Sequence, residues 1–276
     1  MIKRIAAITV AELKIAVRNR WVILAAAILG LFAFVLAFAG TAPTGSLGVD
    51  RLTITVVSLA SLSVYLVPLL GLLLSFDAIC GESEQGTMLL LLTYPISRSE
   101  IVLGKFVAHF MVLSFAIIGG YGGVGVAMIA LTDAGTSALP ELARLIWTSA
   151  LLGAAFLSLG YAISTLSRSA RSAAGLAIAI WLIMVVLYDI GLLGALVLDD
   201  GGTFTKSIFP WLLAANPADG FRLYNLTALD SAMITTGMSG IGTTFPLPVF
   251  TAIIGLITWT LGALGFASWR FLRMEP

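Results

Sequence analysis

The sequence is poor in the residues that most soluble chemistry needs. It has one cysteine, Cys80, and one histidine, His109, in 276 residues. A single thiol excludes a disulfide framework, a cysteine-held cluster and a paired redox motif. Charge is scarce as well: 11% of residues are Asp, Glu, Lys or Arg, against about 25% in an average soluble domain. Fifteen cations nearly balance fourteen acids, so no net field draws a nucleic acid or another acidic partner. There is no G-x-x-x-x-G-K-[ST] phosphate loop; Gly104-Lys105 shares only its Gly-Lys pair, and ATP hydrolysis by that route is excluded. The eight methionines are scattered, and the pair Met233 and Met238 has no further soft ligand nearby. No metal site and no ladder of copper ligands is expected.

What the chain has in excess is apolar surface. With 59% hydrophobic residues, it reads as an all-α integral membrane protein in contact with the lipid bilayer. A hydrocarbon core about 30 Å thick takes roughly 20 apolar residues in a helix. Six stretches qualify: Trp21–Ala39, Ile54–Phe76, Phe106–Leu131, Leu145–Leu166, Ala173–Leu198 and Val249–Leu272. The first is too long for a removable leader and has no convincing small-residue cleavage site.

Orientation follows from the cations. Eleven of the fifteen lie in alternate segments: before the first span (Lys3, Arg4, Lys14, Arg18, Arg20), after the second (Arg98, Lys105), after the fourth (Arg168, Arg171) and at the end. Arg51, Arg144, Lys206 and Arg222 fall on the other side, with Asp50, Asp133, Glu141, Asp199, Asp200, Asp219 and Asp230. Both termini are therefore expected in the cytoplasm. The chain is expected to be one permease-like domain over 1–276, with an interfacial helix at 1–20, a cytoplasmic segment at 77–105 and an external one at 199–248. Ala6, Val10, Leu13 and Val17 recur at helical spacing, as in a helix lying among headgroups; an ordinary cationic flank is the alternative.

Within the spans, ionisable residues are few. Asp189 in the fifth is the clearest, and such residues are costly and commonly functional; a structural hydrogen bond and an ion-coupling role both fit it. His109 reads as a buried hydrogen-bonding residue. Gly120-Tyr121-Gly122-Gly123-Val124-Gly125 matches G-x-G-x-x-G, but inside an apolar span it lacks the strand-and-helix setting of a dinucleotide site. Close packing by Gly119 and Gly123 is the expected role, with a local helix irregularity as the alternative.

The most informative stretch is Asp77-Ala-Ile-Cys-Gly-Glu-Ser-Glu-Gln-Gly-Thr87, followed by Met88, Leu89–Leu92 and Thr93-Tyr94-Pro95. Glu82 and Glu84 are expected on an exposed turn, Gly86 interrupts it, and Leu89–Leu92 form an apolar face that docks on the bundle. Pro95 stops the helix. Such a segment is a handle for a soluble partner, or else a solvated loop.

This region, with its E-x-E-x-G-T run, resembles the coupling region of type-2 ABC exporter permeases. The resemblance extends to the NosY-type permeases of the nitrous oxide reductase maturation system. It is carried by Arg18-Asn19-Arg20-Trp21, Asp77–Thr87, Leu90–Pro95, Gly104–Phe106, Ser172–Ala177, Pro210–Leu213, Asn216–Asp219 and Arg222-Leu223. It implies a six-span half-transporter of the type-2 exporter permease fold that pairs with a second copy of itself in the bacterial inner membrane. It also implies a separate cytoplasmic ABC ATPase, which binds ATP and Mg while this chain binds no cofactor. Glu82, Glu84, Gly86 and Thr87 then belong to the ATPase-coupling segment. A periplasmic copper-binding maturation protein is the implied external partner. Phe204, Phe209, Trp211, Phe221 and Tyr224 could be its docking anchors or an aromatic belt at the membrane surface. The implied role is assembly of a copper–sulfur centre, by driving the periplasmic partner or moving a sulfur species. The alternatives are export of a drug, lipid or polysaccharide, an ion-coupled carrier using Asp189, and a membrane anchor.

Overall fold

The computed structural model describes residues 1–18, 20–39, 51–132, 136–199, 202–234, 248 and 250–274. Asn19, Asp50, Asp133, Asp200, Met238 and the part of the external segment at 235–247 lie outside them. The described chain is helical, without strands. In order it forms α1 (Ile2–Arg18), α2 (Arg20–Ala39), α3 (Arg51–Ser75) and two short helices, α4 (Cys80–Glu84) and α5 (Thr87–Leu92). α6 (Arg98–Ile117) passes through a π-helical segment, Ile118–Gly122, into α7 (Gly123–Thr132), and α8 follows (Leu139–Leu166). α9 (Ala170–Trp181) runs through a second π segment, Leu182–Leu187, into α10 (Tyr188–Asp199). A third π segment, Phe204–Ile208, leads to α11 (Phe209–Ala215), α12 (Pro217–Ile234) and α13 (Phe250–Leu272).

Among the described residues five continuous helical stretches are long and apolar enough to cross a bilayer. The sixth expected span corresponds to α2, 20 residues long. Two spans start well before their apolar runs. α6 opens at Arg98 because Ser97 and Glu100 form a capping box: the Ser97 hydroxyl accepts the Glu100 amide at 3.3 Å, and the Glu100 carboxylate accepts the Ser97 amide at 2.8 Å. α8 opens at Leu139 with Pro140 in its first turn, where a missing N–H is tolerated.

The core forms where α3 crosses α8 and α8 meets α13. At the first crossing a Cβ on Gly71 would lie 3.0 Å from the Gly153 carbonyl oxygen and 3.1 Å from the Leu157 nitrogen. Absent side chains let the two backbones meet, the usual route to tight packing where lipid supplies no hydrophobic drive. The glycine-rich run packs on α2 at Gly123, where a Cβ would lie 3.8 Å from Phe34, and it is also irregular, as the alternative reading has it. Gly120, not Gly119, sits against Gly30 of α2, while Gly119 faces open space. The widened π turn rotates the run, burying Tyr121 with its hydroxyl 2.7 Å from Ser63 Oγ.

α1 lies across α6. Ile8, Thr9 and Ala16 face the bundle, whereas Ala6 and Val10 face outward. Of the apolar stripe expected in the sequence, Ala6 and Val10 are therefore available to lipid and Leu13 is half-buried. The stripe borders an open groove of about 400 Å³ between α1 and α6.

Candidate functional site: the α4 cluster and the α11–α12 hairpin

α1 crosses α6 at Gly104, where a Cβ would meet Ile8 at 2.7 Å and Thr9 Oγ1 donates to the Gly104 carbonyl at 3.0 Å. Only glycine permits this approach. The next residue, Lys105, projects between α1 and α4. Its Nζ donates to Glu12 at 3.0 and 3.1 Å and to Glu82 Oε1 at 2.6 Å. One helical turn on, His109 Nδ1 lies 2.7 Å from the Tyr161 hydroxyl of α8, and its Nε2 lies 3.6 Å from Glu12. Ser164, also on α8, accepts the Ile79 and Cys80 amides that begin α4, at 3.0 and 3.1 Å. It thereby satisfies amides that a helix start leaves open. Glu84 accepts the Ala170 amide at the start of α9 at 2.9 Å, a favourable place for an anion. α4 is thus strapped to α1, α6, α8 and α9 together.

Gly86 joins α4 to α5 with φ +74°, a left-handed conformation that favours glycine. Beyond it, Met88 turns inward and is buried, and Leu91 and Leu92 pack partly on the core. Leu89, Leu90 and Tyr94 are 55%, 66% and 64% exposed. The expectation that Leu89–Leu92 dock as one face is corrected by helical geometry: with Met88 inward, positions three and four residues later follow it, and Leu89 and Leu90 point away.

On the opposite side of the fold α11 and α12 form a hairpin whose turn reaches the middle of the fifth span. Asn216 Nδ2 donates to the Met184 carbonyl in the second π segment at 2.7 Å, where the ordinary helical ladder is interrupted. Its Oδ1 accepts the Ala218 amide at 2.9 Å, starting α12. Tyr188 Oη donates to the Leu212 carbonyl and Trp259 Nε1 to that of Ala215, each at 2.8 Å. Ala218, Phe221 and Asn225 lie on one stripe of α12 and are buried. Arg222 Nη1 meets Asp189 Oδ2 at 2.8 Å and Asp219 Oδ1 at 3.2 Å. Burial, with the Asp189 carboxylate beside it, pushes the Asp219 carboxyl above the usual carboxylate range, and Arg222 offsets only part of this.

The sequence matches the ABC-2 family transporter proteins over residues 6–276. The chain belongs to this family. It is 38% identical over 255 residues to the probable ABC transporter permease protein NosY of Stutzerimonas stutzeri, covering 90% of each chain. It is 39% identical over 264 residues to the protein of that name from Pseudomonas aeruginosa, covering 95% of each. It is a multi-pass membrane permease subunit of an ABC transporter, similar to the NosY permeases.

The permease places its sequence-expected residues unevenly. Glu82 is not on a free turn: its carboxylate is drawn inward by Lys105. Glu84, Gly86 and Thr87 are exposed, and Thr87 Oγ1 donates back to the Glu82 carbonyl at 3.2 Å. Asp189 has an ionic partner in Arg222. Among the external aromatics Trp211 is 62% exposed and Phe204 and Phe209 are partly buried. Phe221 is corrected from a docking anchor to a core residue, because it occupies the buried stripe of α12. Tyr224 packs edge-on against Trp147. Glu12, Tyr161 and Ser164 were not singled out by sequence, and Lys105, Asp219 and Arg222 entered only as side-counting charges or within matched motifs. The Ser97–Glu100 signature was legible and would have placed Lys105 well inside α6.

Proposed function

We propose that this permease is a half-transporter that pairs with a second copy of itself in a bacterial inner membrane, with both termini in the cytoplasm. It couples ATP binding and hydrolysis on a separate ATPase subunit, which holds ATP and Mg, to copper–sulfur centre assembly in nitrous oxide reductase. The observation that carries the reading is the likeness to NosY permeases along nearly the whole chain. The strapping of α4 supports it mechanically. A push on α4 or α5 is borne at once by Lys105, Ser164 and the start of α9, so a motor docked there moves spans and not a loose loop.

Glu84, Gly86 and Thr87 with exposed Leu89, Leu90 and Tyr94 form the ATPase-facing surface in this reading. An apolar centre rimmed by charge suits a protein partner. Glu82 belongs to the strap and acts on the ATPase only through it. On the other side Trp211 is the exposed anchor for a periplasmic copper-binding partner. The chain moves that partner, or a sulfur species, and does not conduct copper ions. Nucleotide acts by stabilising one arrangement of the spans over the other.

The test is co-purification in mild detergent with the ATPase, paired with the copper-centre absorption of nitrous oxide reductase made in the same cells. Glu84→Lys combined with Leu90→Asp is expected to weaken ATPase capture about tenfold, the effect of a single interface anchor, and to abolish the copper-centre spectrum. Normal capture refutes the docking surface. Normal capture by the unaltered chain with a copper centre that forms in its absence refutes the maturation role.

A further inference from the structure

The external hairpin carries a charge that its own side chains do not balance. Asp189 and Asp219 share one nitrogen of one guanidinium, Arg222 Nη1, at 2.8 and 3.2 Å. Two carboxylates and one arginine leave one negative charge in excess. The Asp219 side chain is 1% exposed, and its Oδ2 has no hydrogen-bond partner. The Asp189 carboxylate lies against the same guanidinium nitrogen as Asp219. A buried carboxylate oxygen without a donor is expensive, and like charges this close do not both ionise readily.

Among the described residues no second cation forms an ion pair with either carboxylate. On α10 the neighbouring Tyr188 gives its proton to the Leu212 carbonyl, and on α12 Tyr224 packs on Trp147. α11 and the π segment at Leu182–Leu187 carry no ionisable side chain, and α13 has only Arg270, in its last turn. α8 brings Thr148 to Asn225, with Arg144 one turn and Glu141 two turns before it. α3 carries Tyr65, whose carbonyl accepts from Trp181, and Arg51 at its first residue. The segment packed on α10 contributes Lys206, which is exposed, and the Thr205 amide, which Asp199 accepts. Among the described residues no three His, Cys, Asp or Glu side chains group as a metal site.

We propose that Asp189, Asp219 and Arg222 form a proton-binding site that fastens the external hairpin to the fifth span. The proton bonds to Asp219 Oδ2, which then donates to the Asp189 carboxylate, while Asp189 keeps its ion pair with Arg222. The triad becomes neutral and its orphaned oxygen gains a role. When the proton leaves to water, two carboxylates face each other across one arginine and the closed hairpin loses stability. Because the closed state binds the proton more tightly than the open one, raising pH through its titration favours opening. The site is thus a proton-sensitive latch on the surface that faces an external partner. It does not depend on what that partner is.

The test uses the full chain in lipid nanodiscs, without ATPase. Infrared difference spectra are expected to show a buried protonated carboxyl band that vanishes in Asp219→Asn and persists in Asp199→Asn. Hydrogen-exchange protection factors for residues 209–225, which divide out the intrinsic pH effect, are expected to fall about tenfold per pH unit as pH rises from the ordinary carboxylate range to the titration of the closed site, as for one proton, and to level off above it. In Asp219→Asn, whose amide can still donate to Asp189, protection should stay high and flat with pH. Should that variant fail to fold, Asp189→Asn must likewise lose the band and the pH dependence. Three results overturn the proposal: a band that survives both substitutions, protection indifferent to pH in the unaltered chain, or protection that follows sodium at fixed pH.

Discussion

At the α4 end of the bundle the buried titratable group is a lysine; at the α11–α12 hairpin it is an aspartate. Lys105 is 2% exposed and its partners Glu12 and Glu82 are 14% and 26% exposed. At the hairpin Asp219 is 1% exposed while its partner Arg222 is 31% exposed. Both clusters place two carboxylates around one cation, yet the excess negative charge has different company. Around Lys105 both glutamate side chains are partly exposed and the ammonium donates to each, although Glu82 Oε2 is buried without a donor. At the hairpin the Asp219 side chain is almost wholly buried, and the arginine reaches both carboxylates through one nitrogen. The first arrangement is the strap. The second, with the proton proposed for it, is the responsive end of the molecule.

The harshest way to break the comparison is to remove Arg222. Arg222→Met leaves Asp189 and Asp219 opposed without a cation, and losing one partner of a buried pair costs about 3–5 kcal/mol. The thermal midpoint of the detergent-purified chain should drop accordingly. The double substitution Arg222→Met with Asp219→Asn should recover much of the loss, since it removes the excess charge as well. A single variant as stable as the unaltered chain would show that the hairpin is held by packing alone.

Removing Lys105 should do less. In Lys105→Met, Glu12 and Glu82 lose their shared cation, but both side chains are partly exposed, so a loss of about 2 kcal/mol is expected, below the usual range for a closed buried pair. The effect should also stay local. Hydrogen exchange should rise in α1 and in residues 77–85 and remain unchanged in α11 and α12, because distant sites without shared partners act independently. Matching changes at both ends would mean that strap and latch are one network.

The sequence made the spans legible because the hydrocarbon core imposes a length and composition that no other setting requires. It also made Gly86 legible, since only a helix break needs that residue between Glu84 and Thr87. The clusters were less visible, and for different reasons. Lys105 looked like a loop cation because the apolar run starts at Phe106, yet the capping box extends the helix back to Arg98. Its partner Glu12 is 93 positions away, and no local pattern reports such a meeting. Phe221, expected as a docking anchor or a belt residue, is buried through contacts that α12 makes with α3, α8 and α13, which no local pattern reports. The irregularity at the glycine-rich run was legible as an alternative; the π segments at Leu182–Leu187 and Phe204–Ile208 were not, for their widening is read only from the backbone.

The smallest expected effect lies at Ser164, and it separates two accounts of the strap. Its hydroxyl is the acceptor for both the Ile79 and the Cys80 amides. If α4 is held by that oxygen, Ser164→Ala should cost about 1–2 kcal/mol of local stability, the worth of losing an acceptor for buried donors. Exchange at those two amides should then speed by one to two orders of magnitude, about tenfold per 1.4 kcal/mol. Ser164→Thr, which keeps the hydroxyl, should leave both amides protected. If the contact is instead only a matter of fit, the order reverses. Alanine is accommodated without effect at this buried position, and the added methyl of threonine does the damage. Measuring both substitutions by residue-resolved exchange therefore decides whether α4 is tied to α8 by a hydrogen bond or merely rests against it.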